Sequence, residues 1–237
     1  NLGSIQFDTV GHNTLIVSNG FTNNGNIHMN AQTGGFEAIL DVTSGTLTNA
    51  TGATITTGAS TANRLNGTFH NDGTFAVNGQ TYLNAVTDIL TNAGTLDVAA
   101  GKTLFVSAGS SLTNQAGGVW TGTGTIDATG GTLINEGTIE AGGAGTVGTL
   151  TITGDAAFGS TSGTLNLDIE SAVSHDVRDI SGAGTLNGSA DVLNLHFINT
   201  YVPTDGPHFT IMNYRAGSAG AFETVPTNFC ARRAAGV

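Results

Sequence analysis

The sequence is poor in cysteine, proline and positive charge. Its 237 residues include 1 cysteine and 3 prolines, and 6 lysines and arginines stand against 17 aspartates and glutamates. The single cysteine, Cys230, excludes an internal disulfide framework. The net charge of −11 leaves no basic patch for a phosphate backbone, so we exclude nucleic acid as a partner. No apolar run approaches the length of a membrane span, which predicts no transmembrane segment in this chain.

Helical periodicity is also missing. No stretch keeps apolar residues at three- and four-residue spacing without an intervening glycine. Short alternations such as Leu96-Asp97-Val98 are typical of strands with one buried face. The chain starts at Asn1 without a signal peptide, so we interpret it as a processed or truncated piece of a longer polypeptide.

An asparagine followed closely by glycine recurs six times between apolar residues. The asparagines are Asn23, Asn49, Asn71, Asn92, Asn114 and Asn135, at steps of 26, 22, 21, 22 and 21 residues. The apolar residues two positions earlier are Phe21, Leu47, Phe69, Leu90, Leu112 and Leu133. A fixed period in this range indicates a repeat architecture. Three short strands and three turns in about 21 to 22 residues predict one coil of an all-β solenoid.

The two recurrent columns have different predicted roles. The apolar column is expected to form the core. The asparagine column is expected at a bend, because asparagine tolerates left-handed backbone angles. Stacked coils would allow these side chains to bond into a ladder, and six independent turn asparagines are the alternative. Glycine two or three residues later is expected where the backbone angle is special.

Two copies of the repeat are two residues longer than the others. Asn49 reaches Ile55, and Asn114 reaches Trp120, in six steps, whereas the other copies take four. Side chains alternate with period two along a strand, so an insertion of two residues leaves every later side chain on its original face. Trp120, the only tryptophan, takes the place of an apolar residue of the other copies, which predicts a core position.

The pattern divides the chain into regular coils over residues 1–153 and a less regular segment over 154–237 that continues the same stack. The second part contains Gly148-Thr149-Leu150-Thr151-Ile152-Thr153-Gly154-Asp155, then Asp179-Ile180-Ser181-Gly182, Tyr201-Val202-Pro203 and Gly220-Ala221-Phe222. In this order, residues 130–225 resemble the carboxyl-terminal stretch of autotransporter passenger domains and related repetitive bacterial surface proteins. The resemblance implies a right-handed parallel β-helix outside the cell or on a bacterial surface. It also implies a role as adhesin or stalk, with a host or cell-surface receptor or a glycan as partner.

Residues suited to catalysis are scattered. Asp97 and Glu140 each lie five residues after a repeat asparagine, two coils apart, which predicts a separation of about 10 Å. That distance is at the upper end for an inverting glycosidase pair. The six histidines show no metal-ligand spacing. We therefore predict no catalytic, cofactor-binding or metal-binding residue, no cofactor, and no enzymatic activity.

Three functions remain, in decreasing order of preference. The first is a non-catalytic structural or adhesive solenoid of a surface-displayed or secreted bacterial protein. The second is a self-assembling subunit of an extracellular filament, sheath or surface layer, because solenoid ends expose strand edges that stack end to end into homo-oligomers. The third is a carbohydrate-active β-helix enzyme.

Overall fold

The chain is a β-solenoid, which confirms the predicted fold class. The computed structural model describes residues 3–7, 10–31, 35–58, 62–83, 85, 87–158, 162–186, 191–204 and 208–213. Within these residues there is no helix, and therefore none that is long and apolar enough to span a membrane. Every pairing between strands is parallel, and each coil contributes strands to three faces.

Face 1 is a sheet of nine strands in chain order, one for each coil. Its strands are Ser4–Phe7, Asn26–Met29, Thr54–Thr57, Thr74–Val77, Thr95–Val98, Val119–Gly122, Thr138–Ala141, Thr164–Ile169 and Val192–Phe197.

Faces 2 and 3 share one sheet, because the long strands Glu37–Asn49 and Ala62–Asn71 run from one face into the other. The remaining strands of face 2 are Asn13–Val17, Thr81–Leu83, Thr103–Val106, Thr125–Asp127, Thr149–Thr153, Val177–Ile180 and Met212–Asn213. Those of face 3 are Thr22–Asn23, Ile89–Asn92, Ser111–Asn114, Thr132–Asn135, Ala156–Phe158 and Gly184–Thr185.

Coil length changes along the stack. The six repeat asparagines pair at sequence separations of 21 to 26 residues. Beyond residue 154 the same faces continue, but paired positions such as Asn166 and Asn194 are 28 residues apart. The additional residues lie in the corners, because the paired strands of face 1 keep their register there.

The core lies between the three faces and consists of stacked apolar columns. Face 3 contributes Leu47, Phe69, Leu90, Leu112 and Leu133, all buried, with Phe21 of the first coil half-buried against them. Face 1 contributes Ile27, Ile55, Phe75, Leu96, Trp120 and Ile139 in one continuous register. The register confirms that the two longer copies keep their side chains on the original face, and Trp120 is 1% exposed, as expected of a core residue.

The two-residue insertions form tight turns. Ala53 N donates to Ala50 O at 2.9 Å in one copy, and Gly118 N donates to Gln115 O at 2.8 Å in the other. The third residue of each turn is a glycine with positive φ, 81° at Gly52 and 88° at Gly117. A positive φ at the third position is the requirement of a type II turn, which explains why glycine stands there.

Glycine is required two residues after the asparagine for a different reason. Gly73 and Gly94 do not have a positive φ, so the expected special backbone angle is wrong for them. A Cβ on Gly94 would lie 2.1 Å from Gly73 O, and one on Gly73 would lie 2.3 Å from Ala53 O. The carbonyl of the preceding coil thus fills the space a side chain needs, and close approach between coils requires glycine here.

Candidate functional site

The six repeat asparagines form a continuous ladder inside the solenoid. Each Nδ2 donates to the Oδ1 of the asparagine one coil further, at 2.7 to 2.8 Å across the five steps. Most also donate to the carbonyl of the glycine that follows, as Asn92 does to Gly94 O at 3.0 Å. All six side chains are buried. They therefore satisfy one another and the corner carbonyls, and none faces a ligand.

The ladder does not depend on unusual backbone angles. Apart from glycine, only Asn199 and Thr200 have a positive φ among the described residues. The expected left-handed conformation of the asparagine column is therefore wrong. Each asparagine instead ends a strand of face 3, as Asn92 ends Ile89–Asn92, and its side chain points inward.

The two carboxylates considered for catalysis lie in one outward column of face 1. Asp97 pairs with Thr121 in register, and Thr121 pairs with Glu140. Two coil spacings put the paired strand positions about 10 Å apart. Thr121 stands between them, with its hydroxyl buried and without a hydrogen-bond partner. The same column continues through Ala76 and Thr56 to His28, three coils before Asp97.

Face 2 carries a stack of contact residues that the sequence did not reveal. Arg64, Tyr82 and Phe105 are consecutive outward positions in register. The two rings are 4.5 Å apart at an interplanar angle of 8°, and the Arg64 guanidinium carbon lies 5.3 Å from the Tyr82 ring centroid. Arg64 also forms an ion pair with Glu37 at 2.7 Å, and its hydrogen bond lowers the pKa of the Glu37 carboxyl.

This stack was hidden because corner lengths vary. Arg64 lies 15 residues after the preceding repeat asparagine, Tyr82 11 and Phe105 13, so counting from the asparagine does not align them. Only the register of the sheet brings them into one column. We refer to Arg64, Tyr82 and Phe105 as the aromatic stack.

Two buried aspartates occupy the corner between faces 1 and 2 near the carboxyl-terminal coils. Asp168 is 3% exposed and Asp176 is fully buried. Both accept hydrogen bonds from the backbone of residues 142–148. Burial raises the pKa of Asp176 to about 6. They lie beyond the regular repeat, where the sequence pattern gave no alignment to find them.

Other polar groups do not form a binding centre in the part of the chain that the structure describes. No group of three or more histidine, cysteine, aspartate or glutamate residues there has a geometry that could hold a metal ion. His70 contacts Asp72 at 2.9 Å and Thr91 at 2.7 Å on face 3, and His196 lies 3.7 Å from Asp168. Cys230 lies outside the described residues.

Comparison with known proteins gives no family or relative for this chain. No family model matches it, and no curated protein or solved structure matches it significantly.

Proposed function

We propose that the chain is a non-catalytic structural or adhesive solenoid that acts outside the cell, within a surface-displayed or secreted repetitive bacterial protein. The observation that carries this proposal is the direction of the repeated residues. The side chains that recur from coil to coil, the asparagines and the apolar columns, are buried. The outward columns vary in chemistry, as Asp97, Thr121 and Glu140 show. The residues that make the sequence regular therefore build the scaffold.

The aromatic stack is the surface we propose for adhesion. Tyrosine and arginine are enriched among the residues that dominate protein contacts, because each buries a large area around a polar tip. Both faces of the Tyr82 ring are covered by its neighbours in the stack, so its edge and its hydroxyl remain for a receptor or glycan.

Adhesion is tested with beads that carry the purified chain. We expect the beads to bind cells or glycan-coated surfaces, and the double variant Arg64→Ser/Tyr82→Ser to bind more weakly by at least about tenfold. The control, His28→Ser/Thr56→Ser, changes two outward residues in register on face 1 and should leave binding unchanged. Wild-type beads that bind no cell and no glycan would refute the adhesive role.

Self-assembly is the second candidate, favoured by the first layer of the solenoid. Ser4–Phe7 and residues 14–17 each pair with a strand on one side only among the described residues. Val10 and Ile16 nearby are 75% and 62% exposed. Unpaired edges beside exposed apolar side chains favour pairing with another chain. The test measures the molecular size of the purified chain at several dilutions. A concentration-dependent oligomer that the variant Ile16→Lys dissociates supports this function. A monomer at every concentration rejects it.

A further inference from the structure

Two corner loops of neighbouring coils are joined by Asp168 and Asp176. The first, the glycine loop, comprises residues 142–148, and the second, the serine loop, comprises residues 170–175. Asp168 lies on the strand before the serine loop, and its Oδ2 accepts hydrogen bonds from Gly145 N at 2.6 Å and Thr146 N at 3.1 Å. Asp176 directly follows the serine loop, and its Oδ1 accepts from Gly148 N at 2.7 Å.

The two aspartates also hold each other. Asp168 N donates to Asp176 Oδ2 at 2.8 Å, and Asp176 N donates to Asp168 O at 2.8 Å. Four backbone N–H groups therefore donate to two buried carboxylates. The serine loop between them is closed by Glu170 N and Ser171 N, which both donate to Ser174 O. Neither loop can move away without breaking this network.

Acidic and basic groups both surround the pair. The glycine loop, Gly-Gly-Ala-Gly-Thr-Val-Gly, contributes no titratable side chain. The groups on the adjoining elements are Glu140 one coil below, His196 one coil above, Glu170 and His175 in the serine loop, and Arg178 and Asp179 on the following strand. His196 Nδ1 lies 3.7 Å from Asp168 Oδ1, and the His196 side chain is half exposed.

Burial is the largest cause of the raised pKa of Asp176, which is about 6 instead of 3.8. Repulsion by Asp168 and Glu140 acts in the same direction, and the backbone hydrogen bonds oppose it. A pKa above its unfolded value means that the protonated form is favoured in the closed state. The resulting stabilisation is complete below the unfolded pKa and is lost as pH rises through about 6.

We propose that Asp168 and Asp176 form a protonation-controlled clasp, which holds the glycine loop against the serine loop more tightly in mild acid than at neutral pH. In acid, a proton on Asp176 removes the cost of holding its charge in a buried site. At neutral pH Asp176 is charged there, and the loops separate more often. The clasp does not depend on the proposed adhesive role. It makes one corner of a rigid scaffold respond to the pH of its surroundings.

The test is amide hydrogen exchange followed by NMR at pH 5 and pH 7.5, corrected for the intrinsic exchange rate. Its probes are the amides of Gly145, Gly148 and Asp168, which donate to the two carboxylates. We expect the opening constant to be about tenfold larger at pH 7.5, as the two pKa values of Asp176 require. Asp176→Asn, which cannot titrate, should remove the difference. Equal opening constants at both pH values in the wild type would overturn the clasp.

Two further variants make the assignment specific. His196→Gln should keep the tenfold difference; if it abolishes the difference, the histidine is the titrating group and the proposal is wrong. Glu140→Gln removes a repelling charge and should reduce the difference only slightly, because burial is the largest cause of the raised pKa. If Asp176→Asn does not fold, the wild type at the two pH values decides together with His196→Gln.

Discussion

Each ladder asparagine exchanges hydrogen bonds with protein groups alone. Asn92 donates to Gly94 O, Asn114 Oδ1 and Val119 O, and accepts from Asn71 Nδ2. A buried donor or acceptor without a partner costs more than a formed bond contributes. The value of each asparagine to stability therefore lies mainly in what its loss would leave unsatisfied on the coils above and below.

Replacing Asn92 by alanine tests this asymmetry. Asn71 Nδ2 and Asn114 Oδ1 would lose their ladder partner, and we expect the free energy of unfolding to fall by about 4 kcal/mol. The matched control is Asn166→Ala, because Asn166 accepts from Asn194 at 3.0 Å in a half-buried outward pair. We expect that change to cost less than about 0.5 kcal/mol. Similar losses in urea unfolding of both variants would contradict the role of burial.

The glycines of the repeat allow a second comparison between single residues. Gly94→Ala would put a methyl group against Gly73 O, so the backbones of two coils must separate, and we expect a loss of more than about 3 kcal/mol. Gly101 has a φ of 69° and open space around it. Gly101→Ala should therefore cost about 1 kcal/mol, the price of left-handed backbone alone. Thermal unfolding of the two variants measures the difference, and a larger loss at Gly101 would refute this explanation.

Strands and corners have separate tasks. Strands of face 1 keep one register through nine coils, whereas the corners vary from a single residue between two strand stretches to seven residues and more, as in 142–148. A corner can vary in length because the strand that follows it starts at the same register position in every coil. At the turn that follows the repeat asparagine, parity of the insertion is the condition, since an odd change there would reverse the side chains of the next strand. Corners between faces 2 and 3 also differ by odd numbers, because Arg64 lies seven residues before Asn71 and Tyr82 ten before Asn92.

Deletions in the turn after Asn114 test the parity condition. Removing Ala116 and Gly117 leaves Asn-Gln-Gly-Val-Trp, the spacing of the four-step copies, so Trp120 should stay in the core. Removing Ala116 alone should turn Trp120 towards solvent or force Val119–Gly122 out of register. Trp120 is the only tryptophan, so its fluorescence reports the outcome directly. We expect unchanged emission for the double deletion and a red shift for the single one, and the opposite result would exclude the parity rule.

The whole molecule is a one-dimensional stack in which each coil contacts its neighbours. In such architectures stability is close to a sum of coil terms and interfaces between coils. The ladder adds a bond across every interface from Asn23 to Asn135, and it ends there because Phe158 occupies the next position in register. The central coils should therefore unfold together, and the larger coils beyond residue 154 should open first.

Hydrogen exchange measured by mass spectrometry tests this order. We expect peptides from residues 62–141 to share the highest protection and those from residues 162–186 to exchange earlier. In Asn92→Ala, protection should fall on both sides of the interrupted ladder, over residues 68–122. A decrease confined to residues 89–92, or uniform protection along the wild-type chain, would contradict cooperative coupling through the ladder.

Much of the fold is predictable because periodicity is a local property. The steps of 21 to 26 residues between asparagines predicted the coil, and the alternation around Leu96 predicted the buried face. The two interpretations of the asparagine column could not be separated in this way. A ladder and six independent turns place the same residue type at the same spacing, and the difference lies in the direction of the side chain.

Candidate sites were less accessible to the sequence than the fold. Asp97 and Glu140 could be assigned to one column because each follows its repeat asparagine by five residues. Arg64, Tyr82 and Phe105 could not, because the corners that precede them differ in length. Asp168 and Asp176 lie where coils reach 28 residues, so no repeat offered a reference point.

The sequence by itself determined that this chain is an all-β repeat with a buried apolar column, because the pattern of glycine, asparagine and leucine is compatible with no other regular structure. Only the tertiary structure decided what meets across the coils: the asparagine bonds, the carbonyl against each glycine, the aromatic stack and the two buried aspartates. The physical reason is that contacts between coils join residues 18 to 34 positions apart through corners of unequal length. Counting residues along the sequence does not show which positions these corners bring together. The register of the parallel sheet does.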